Sequence, residues 1–546
     1  MNRYRWATSG DVNAFFGLML DNVAVMVLLV ATIARGGAEE RAQQGQVFFT
    51  REFVMTRMIP GTALGVLLGD LVYTLMAFRL ARRTGQQVTA MPLGLDTPST
   101  FGVALLILLP TLQQGYRDFG DHARAMEFSW HVGLVVLAMS GIFKIFCAPF
   151  GNVVRRLIPR AGLLGSLAAI ALVLIAFLPL VLDGIAGVPL VGMLALAVIL
   201  WSLVAHRPLP GGVPGAFAAV VLGVTLYWLG HLLGRETGLA LVPAPSASGS
   251  WTWEPGGMFS FYSEPRGWWG KVFTTALSKL PIALPFALAT IVGGIDCTES
   301  AAAAGDDYDT GSILMTEGVA SLVAGLLGGV IQTTPYIGHP AYKMMGGRAA
   351  YTLATALFIG LAGYLGVFTW LFTWLPQAAL FPILVFVGLE ITAQSFQATP
   401  TRHYPALALA IMPALAYLCL AVINKAFART PPQDPAFVQT LRCLANGFII
   451  TSLVWASTLA CLIDGHPHRA ALYFLGAALL TLFGIMHSPL PAEQIDLPHR
   501  VLALVPESFQ EAVQAQTPYH WAGAYGLIAV FFLGLGWWKV PAPPPS

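Results

Sequence analysis

Apolar runs of about 20 residues recur from Phe15 to Trp538, and each is long enough to cross a bilayer as a helix. In hydrocarbon every backbone N–H and C=O must be paired within the protein, so only helices and closed barrels span. No strand-like alternation runs through these segments, which argues against a β-barrel. The chain reads as an all-α polytopic membrane protein. Only 10% of its residues are charged, where a soluble domain carries about 25%.

Several functions are disfavoured at this level. A formal net charge of +2 is no footprint for nucleic acid. The five cysteines (147, 297, 419, 443 and 461) lie in or beside apolar segments. They show no CxxC spacing and no paired histidines, so they read as small buried residues, not as metal ligands or disulfides. No HExxH or GxSxG occurs, and an enzyme is not expected; neither is a cofactor or a metal. The N-terminal MNRYRWATSGD is followed by no small-residue cleavage site after the first apolar run, which suggests a retained first helix.

In order, spans are expected near 13–33, 57–78, from 89 onward, 131–150, 162–182, 188–206 and 212–233. After a loop at 234–270, rich in Trp, Pro, Gly and Ser, they resume near 273. The second series continues at 313–330, from 333, and at 351–372, 378–396 and 404–423, with one or two more between 443 and 486. The 234–270 loop reads as an interfacial connection with aromatic anchors. The segment 489–509 reads as an amphipathic surface helix, and 521–538 is long enough for a last span. The total is 14 to 16. The expected division is 1–233 as a first repeat, 234–270 as connector, 271–487 as a second repeat and 488–546 as a C-terminal addition. Basic residues in alternate short loops (Arg3, Arg5, 79–87, 153–160, Arg207, Lys343, Arg348, Arg402) place the N-terminus in the cytoplasm of a cell-membrane protein.

Two segments break the pattern. PLGLDTP (92–98) and TPYIGHP (334–340) each hold Gly between prolines, and each opens a short apolar helix at the third position of its half. Paired interruptions of this kind point to an inverted-repeat transporter with a midplane site. A helix that starts at membrane depth presents unpaired N–H groups and the positive end of its dipole. The alternative is two ordinary proline kinks.

Ionisable residues at membrane depth usually mark a pathway. Asp296 is a candidate solute contact or proton carrier, against an ion pair with a group such as Lys343. Glu299 lies about one turn further along the same helix and is a second coupling candidate, through a shared proton or Na⁺. His339, at the start of the second half-helix, can bind solute, carry a proton, or serve structure. Asp96 and Thr97 occupy the first break. Tyr336 is set to stack on a solute or to pack. Asp21 and Asn22 face either the pocket or a neighbouring helix, Glu317 is expected to pair within the core, and Glu390 to lie near the surface or a domain interface.

The stretch SLVAGLLGGVIQTTPYIGHPAYKMMGGRAAYT resembles the helix-nine to helix-ten region of the nucleobase:cation symporters of the xanthine/uracil permease family. It is most similar to the adenine/guanine/hypoxanthine permease branch, which carries TTY…GGRTG there. MPLGLDTPSTFG resembles that branch's third helix, and FPILVFVGLEI and HYPALALAIMPALAYL its helices twelve and thirteen. The resemblance covers most of 13–485 and is strongest in 310–420. It implies 14 helices in two inverted repeats of seven, a core and a gate domain, and a solute framed by helices one, three, eight and ten. It also implies a homodimer and nucleobase symport with H⁺ or Na⁺. The family's helix-eight acid corresponds to Asp296 and its helix-ten Tyr to Tyr336. Its helix-ten Glu falls on Gly338, with His339 beside it, so the Glu that clasps a nucleobase edge is missing. A small organic or inorganic anion is therefore the alternative solute, and a passive channel or membrane-embedded enzyme the alternative class.

Overall fold

The computed structural model describes the chain except residues 1–3, 35–36, 44–46, 152, 154–157, 182–184, 244–257, 261–263, 337, 427–434, 491–496, 504–517 and 538–546. The first half runs through α1 (Gly10–Ile33), α2 (Ile59–Thr84), β1 (Leu93–Leu95), α3 (Thr97–Gly102), α4 (Leu109–Phe119), α5 (His122–Cys147), α6 (Arg160–Ile170), α7 (Pro189–Ile199) and α8 (Gly215–Thr237). The second half opens with α9 (Arg266–Ala303), α10 (Thr310–Leu326), β2 (Thr333–Pro335), α11 (His339–Met344), α12 (Ala350–Tyr364) and α13 (Val367–Trp374). It continues with α14 (Gln377–Gln397), α15 (Tyr404–Ala426), α16 (Pro435–Ala445), α17 (Phe448–Ile463), α18 (Pro467–Leu482) and α19 (Pro518–Trp537). Among the described residues, nine helices are long and apolar enough to span, and the bent pair α16–α17 makes a tenth. Further expected segments appear as shorter apolar helices (Pro189–Val204, Thr310–Leu326, Ala350–Tyr364) or as the two broken segments.

Both broken segments fall third in their half, each as strand then half-helix. The strands pair antiparallel, with Leu93 opposite Pro335, Gly94 opposite Thr334 and Leu95 opposite Thr333. The two copies of the motif therefore run in opposite senses, as an inverted repeat requires. Two boundaries depart from expectation. The expected span 351–372 divides at Gly366, whose left-handed backbone (φ 71°) starts α13 after α12 has ended. α9 begins at Arg266, earlier than expected, because Trp268 and Trp269 belong to the helix and not to an interfacial loop. Trp268 Nε1 donates to His131 Nδ1 (2.7 Å), and Trp269 stacks on the same imidazole. The C-terminal surface helix is described only at Pro498–Ala503, and most of the 153–160 loop lies outside the described residues.

Contacts divide the chain into two units. One comprises Met1–Asn152 and Ile175–Glu390, the other Val153–Leu174 and Ile391–Ser546. In the first unit helices approach closely through small residues, as expected where lipid supplies no hydrophobic drive between helices. A carbon added at Gly141 of α5 would stand 2.6 Å from the Leu322 nitrogen of α10, and one at Gly325 2.8 Å from the Ala138 nitrogen. Asp11 ties α1 to the start of α12 by accepting the Arg348 and Tyr351 amides (2.8 and 3.0 Å). In the second unit α6, α15 and α17 share a core of Ala161, Ala406, Leu407, Ala410, Ala456 and Ala460. α19 is held there by a donor chain: Trp455 Nε1 to the Tyr525 hydroxyl (2.8 Å), that hydroxyl to His487 Nε2 (2.6 Å), and His487 Nδ1 to the Cys443 carbonyl (2.9 Å).

Candidate functional site: the crossing of the two broken helices

A two-stranded ladder inside a helical membrane protein leaves both outer edges with unpaired backbone groups, and each must find a partner. Here side chains supply them. On the β1 edge, Asp70 of α2 accepts the Leu93 amide (3.0 Å) and Asn22 of α1 accepts the Leu95 amide (3.0 Å). On the β2 edge, Ser321 Oγ accepts the Thr333 amide (3.2 Å), and the Thr333 carbonyl accepts from Lys144 Nζ of α5 (3.1 Å). Cys297 Sγ of α9 donates to the Pro335 carbonyl (3.3 Å), while Pro335 itself has no N–H to satisfy. The ladder extends at both ends, from Asp96 N to the Gln332 carbonyl (2.9 Å) and from Tyr336 N to the Pro92 carbonyl (2.8 Å). Five helices thus fix one crossing.

Each strand hands over to a half-helix. Asp96 caps α3: its carboxylate accepts the Ser99 amide (2.8 Å), Thr97 is the first helical residue and Pro98 the second. Gly338 caps α11 without a side-chain acceptor, and Pro340 again sits in the first turn. Helix thus starts within each break, at Thr97 and at His339, with a proline in the first turn. Tyr336 packs against Gly94, where an added carbon would stand 2.6 Å from the ring. Its hydroxyl interacts with Asp21 of α1.

The remaining candidates are placed as follows. Asp296 is buried on α9, one residue before Cys297, and Glu299 is half-buried. Gly293, one turn before Asp296, is buried, yet a carbon added there would meet nothing within 4 Å. Lys343 pairs with Asp306 (2.8 Å), not with Asp296. Asp306 also receives the Thr89 amide (3.1 Å) and His339 Nε2 (3.2 Å). Burial raises the pKa of Asp306, but the bonds from His339 and Lys343 outweigh it, and the net effect holds it below the usual carboxylate range. His339 Nε2 also faces the Thr89 carbonyl (3.1 Å). Both neighbours accept, so Nε2 carries a proton, and Nδ1 is buried with no partner among the described residues.

Glu317 pairs within the first unit, as expected; its partner is Lys144, at 2.7 Å, both fully buried. Sequence reasoning passed over Lys144, and also Asp70 and Asn22 as edge partners. The signal for Lys144 was present: a lone Lys in the apolar run LAMSGIFKIFC requires an acid at the same depth, and Glu317 is the acid inside the apolar span 313–330.

Fold and crossing together define a polytopic helical membrane protein with two oppositely oriented broken segments paired through a short ladder. No protein-family model and no curated protein matches the chain. Among solved structures it is similar to the transmembrane domain of a cyanobacterium bicarbonate transporter, BicA (15% identity, 72% of this chain and 96% of that one, TM-score 0.39). It is also similar to SLC26A9 (12% identity, 65% of this chain and 62% of that one, TM-score 0.38).

Proposed function

We propose that the protein is a secondary active transporter, a symporter driven by H⁺ or Na⁺, that binds a small polar solute at the crossing of β1 and β2. The observation that supports this most is the pair of half-helices α3 and α11. Both start beside one ladder and both present N-terminal amides there. Asp96, Thr97, Tyr336 and Gly338 contact the solute in this reading, with His339 Nδ1 as a further contact. Asp296 and Glu299 provide cation coupling from α9. The N-terminus faces the cytoplasm.

A nucleobase is the leading solute. Lys144 is neutralised by Glu317, while Asp21, Asp96 and Asp296 bring carboxyl groups to the elements of the crossing. A neutral ring with both N–H donors and carbonyl acceptors suits that excess of acid better than a bare anion does. An anion is the second reading, favoured by one feature: the start of α11 has no side-chain cap, and an uncapped helix N-terminus accommodates negative charge. Thermal unfolding of the purified protein against uracil, xanthine, hypoxanthine and bicarbonate separates the two. A true solute at 100 times its Kd stabilises by about 2.7 kcal/mol. Stabilisation by bicarbonate alone would overturn the nucleobase reading.

A further inference from the structure

Every buried acid with a described contact in the first unit has a donor or a cation, with one exception. Asp11 accepts the Thr8, Arg348 and Tyr351 amides; Asp70 the Leu93 amide; Asp96 the Ser99 amide; Asp306 is bound by Lys343 and His339; Glu317 by Lys144. Asp21 is 1% exposed in the middle of α1, and neither of its oxygens has a partner at hydrogen-bonding distance among the described residues. The Tyr336 hydroxyl acts on it electrostatically, outside hydrogen-bonding distance.

Charged groups on the elements around α1 offer no counter-ion. From α11, Tyr342 faces Asp21, whereas His339 and Lys343 are engaged by Asp306. From α12, Tyr351 faces Tyr342 and Asp70. The acid beside α3 is Asp96, and neither β1 nor the turn 103–108 carries an ionisable residue. α8 meets α1 where Phe217 packs on Phe16, and its Tyr227, His231, Arg235 and Glu236 all lie beyond that contact.

We propose that Asp21 is a proton-binding site of the transport cycle, and that the Tyr336 hydroxyl, outside hydrogen-bonding distance in this structure, turns to partner it. The chemistry is a reversible O–H bond. In the acid form the carboxyl donates to the tyrosine oxygen; on release the proton passes to solvent as the cycle exposes the site, and the tyrosine O–H turns to donate to the carboxylate. The next residue on α1, Asn22, holds the Leu95 amide of β1, so gain or loss of charge at Asp21 acts on the ladder that carries the solute site. One hydroxyl is too small an oxygen set for Na⁺, which, as a hard cation, takes several oxygen ligands. The coupling role rests on the transporter reading; the protonation of Asp21 does not.

Infrared difference spectroscopy of the purified protein in nanodiscs tests the site without a solute. Wild type should show a protonated-carboxyl band that is lost in Asp21→Asn, displaced in Asp21→Glu and in Tyr336→Phe, and kept in Asp296→Asn. A band unchanged in Asp21→Asn, or one that NaCl titration removes from wild type, overturns the proposal. Where Asp21→Asn does not fold, the Glu variant decides by the displacement. Vesicles loaded with a pH dye and given uracil, xanthine or bicarbonate then test coupling. Asp21→Asn should move the probe with loss of the accompanying H⁺ entry; retained H⁺ entry overturns the coupling role. If wild type moves none of the probes, the transporter reading fails while the infrared result still decides Asp21.

Discussion

Lys144 and Glu317 form an ion pair with no access to water, and the energetic weight of such a pair shows when one partner is removed. Lys144→Met leaves a buried carboxylate without its cation and removes the donor to the Thr333 carbonyl. A loss of about 3–5 kcal/mol is expected, read as a large drop in Tm in detergent, and most of it should return in Lys144→Met/Glu317→Leu. Asp296→Asn should abolish cation-driven uptake with Tm unchanged; uptake at the wild-type rate and with the same pH or Na⁺ dependence would remove Asp296 from the coupling machinery. His487 is different in kind. It sits in left-handed backbone (φ 56°), fully buried, stacked on Trp521 with centroids 4.0 Å apart. Burial pushes its pKa down to about 4, against an opposing bond to the Cys443 carbonyl. The unfolded chain, with a pKa of about 6.5, takes up the proton first. The stability of this unit is therefore full above that value and falls as pH drops toward 4, by about 2 kcal/mol near pH 5. Thermal unfolding compared at pH 5 and neutrality should show the loss, and His487→Gln should flatten it.

At the scale of elements, the ladder is held by side chains from helices that are distant in sequence. Asp70→Leu removes the acceptor for the Leu93 amide and should cost about 1–3 kcal/mol, whereas Asp70→Asn keeps an acceptor and should cost less. Equal loss in both would show that the charge of Asp70, not its bond to β1, is what matters. The interruptions themselves were legible in PLGLDTP and TPYIGHP, because proline and glycine limit where a helix can start regardless of context. Their pairing as strands was not. A three-residue ladder has no periodicity to read, and its edges are closed by Asn22, Asp70, Lys144, Cys297 and Ser321, whose convergence exists only in three dimensions. Asp306 was visible only as part of an acidic loop, GDDYDTG; nothing in that loop announces that it reaches Thr89, His339 and Lys343. The division of 351–372 was missed because Gly366 lies within an otherwise continuous apolar run, where a glycine is ordinarily tolerated.

For the molecule as a whole, long apolar runs with few charges already dictated a multi-pass helical protein, and the structure adds that the two inverted halves meet through β1 and β2. The central claim is that solute crosses the membrane through this meeting point. Gly94 is where it can be tested with least ambiguity, because Tyr336 covers it and any added carbon meets the ring. The measurement is uptake of radiolabelled uracil, xanthine, hypoxanthine or bicarbonate into proteoliposomes under an imposed pH or Na⁺ gradient, for wild type and Gly94→Val reconstituted at equal amounts of folded protein. Wild type should accumulate one probe above its equilibrium level, and Gly94→Val should lose that accumulation. Gly94→Val accumulating the probe at the wild-type rate, or wild type accumulating none of the four, would contradict the account.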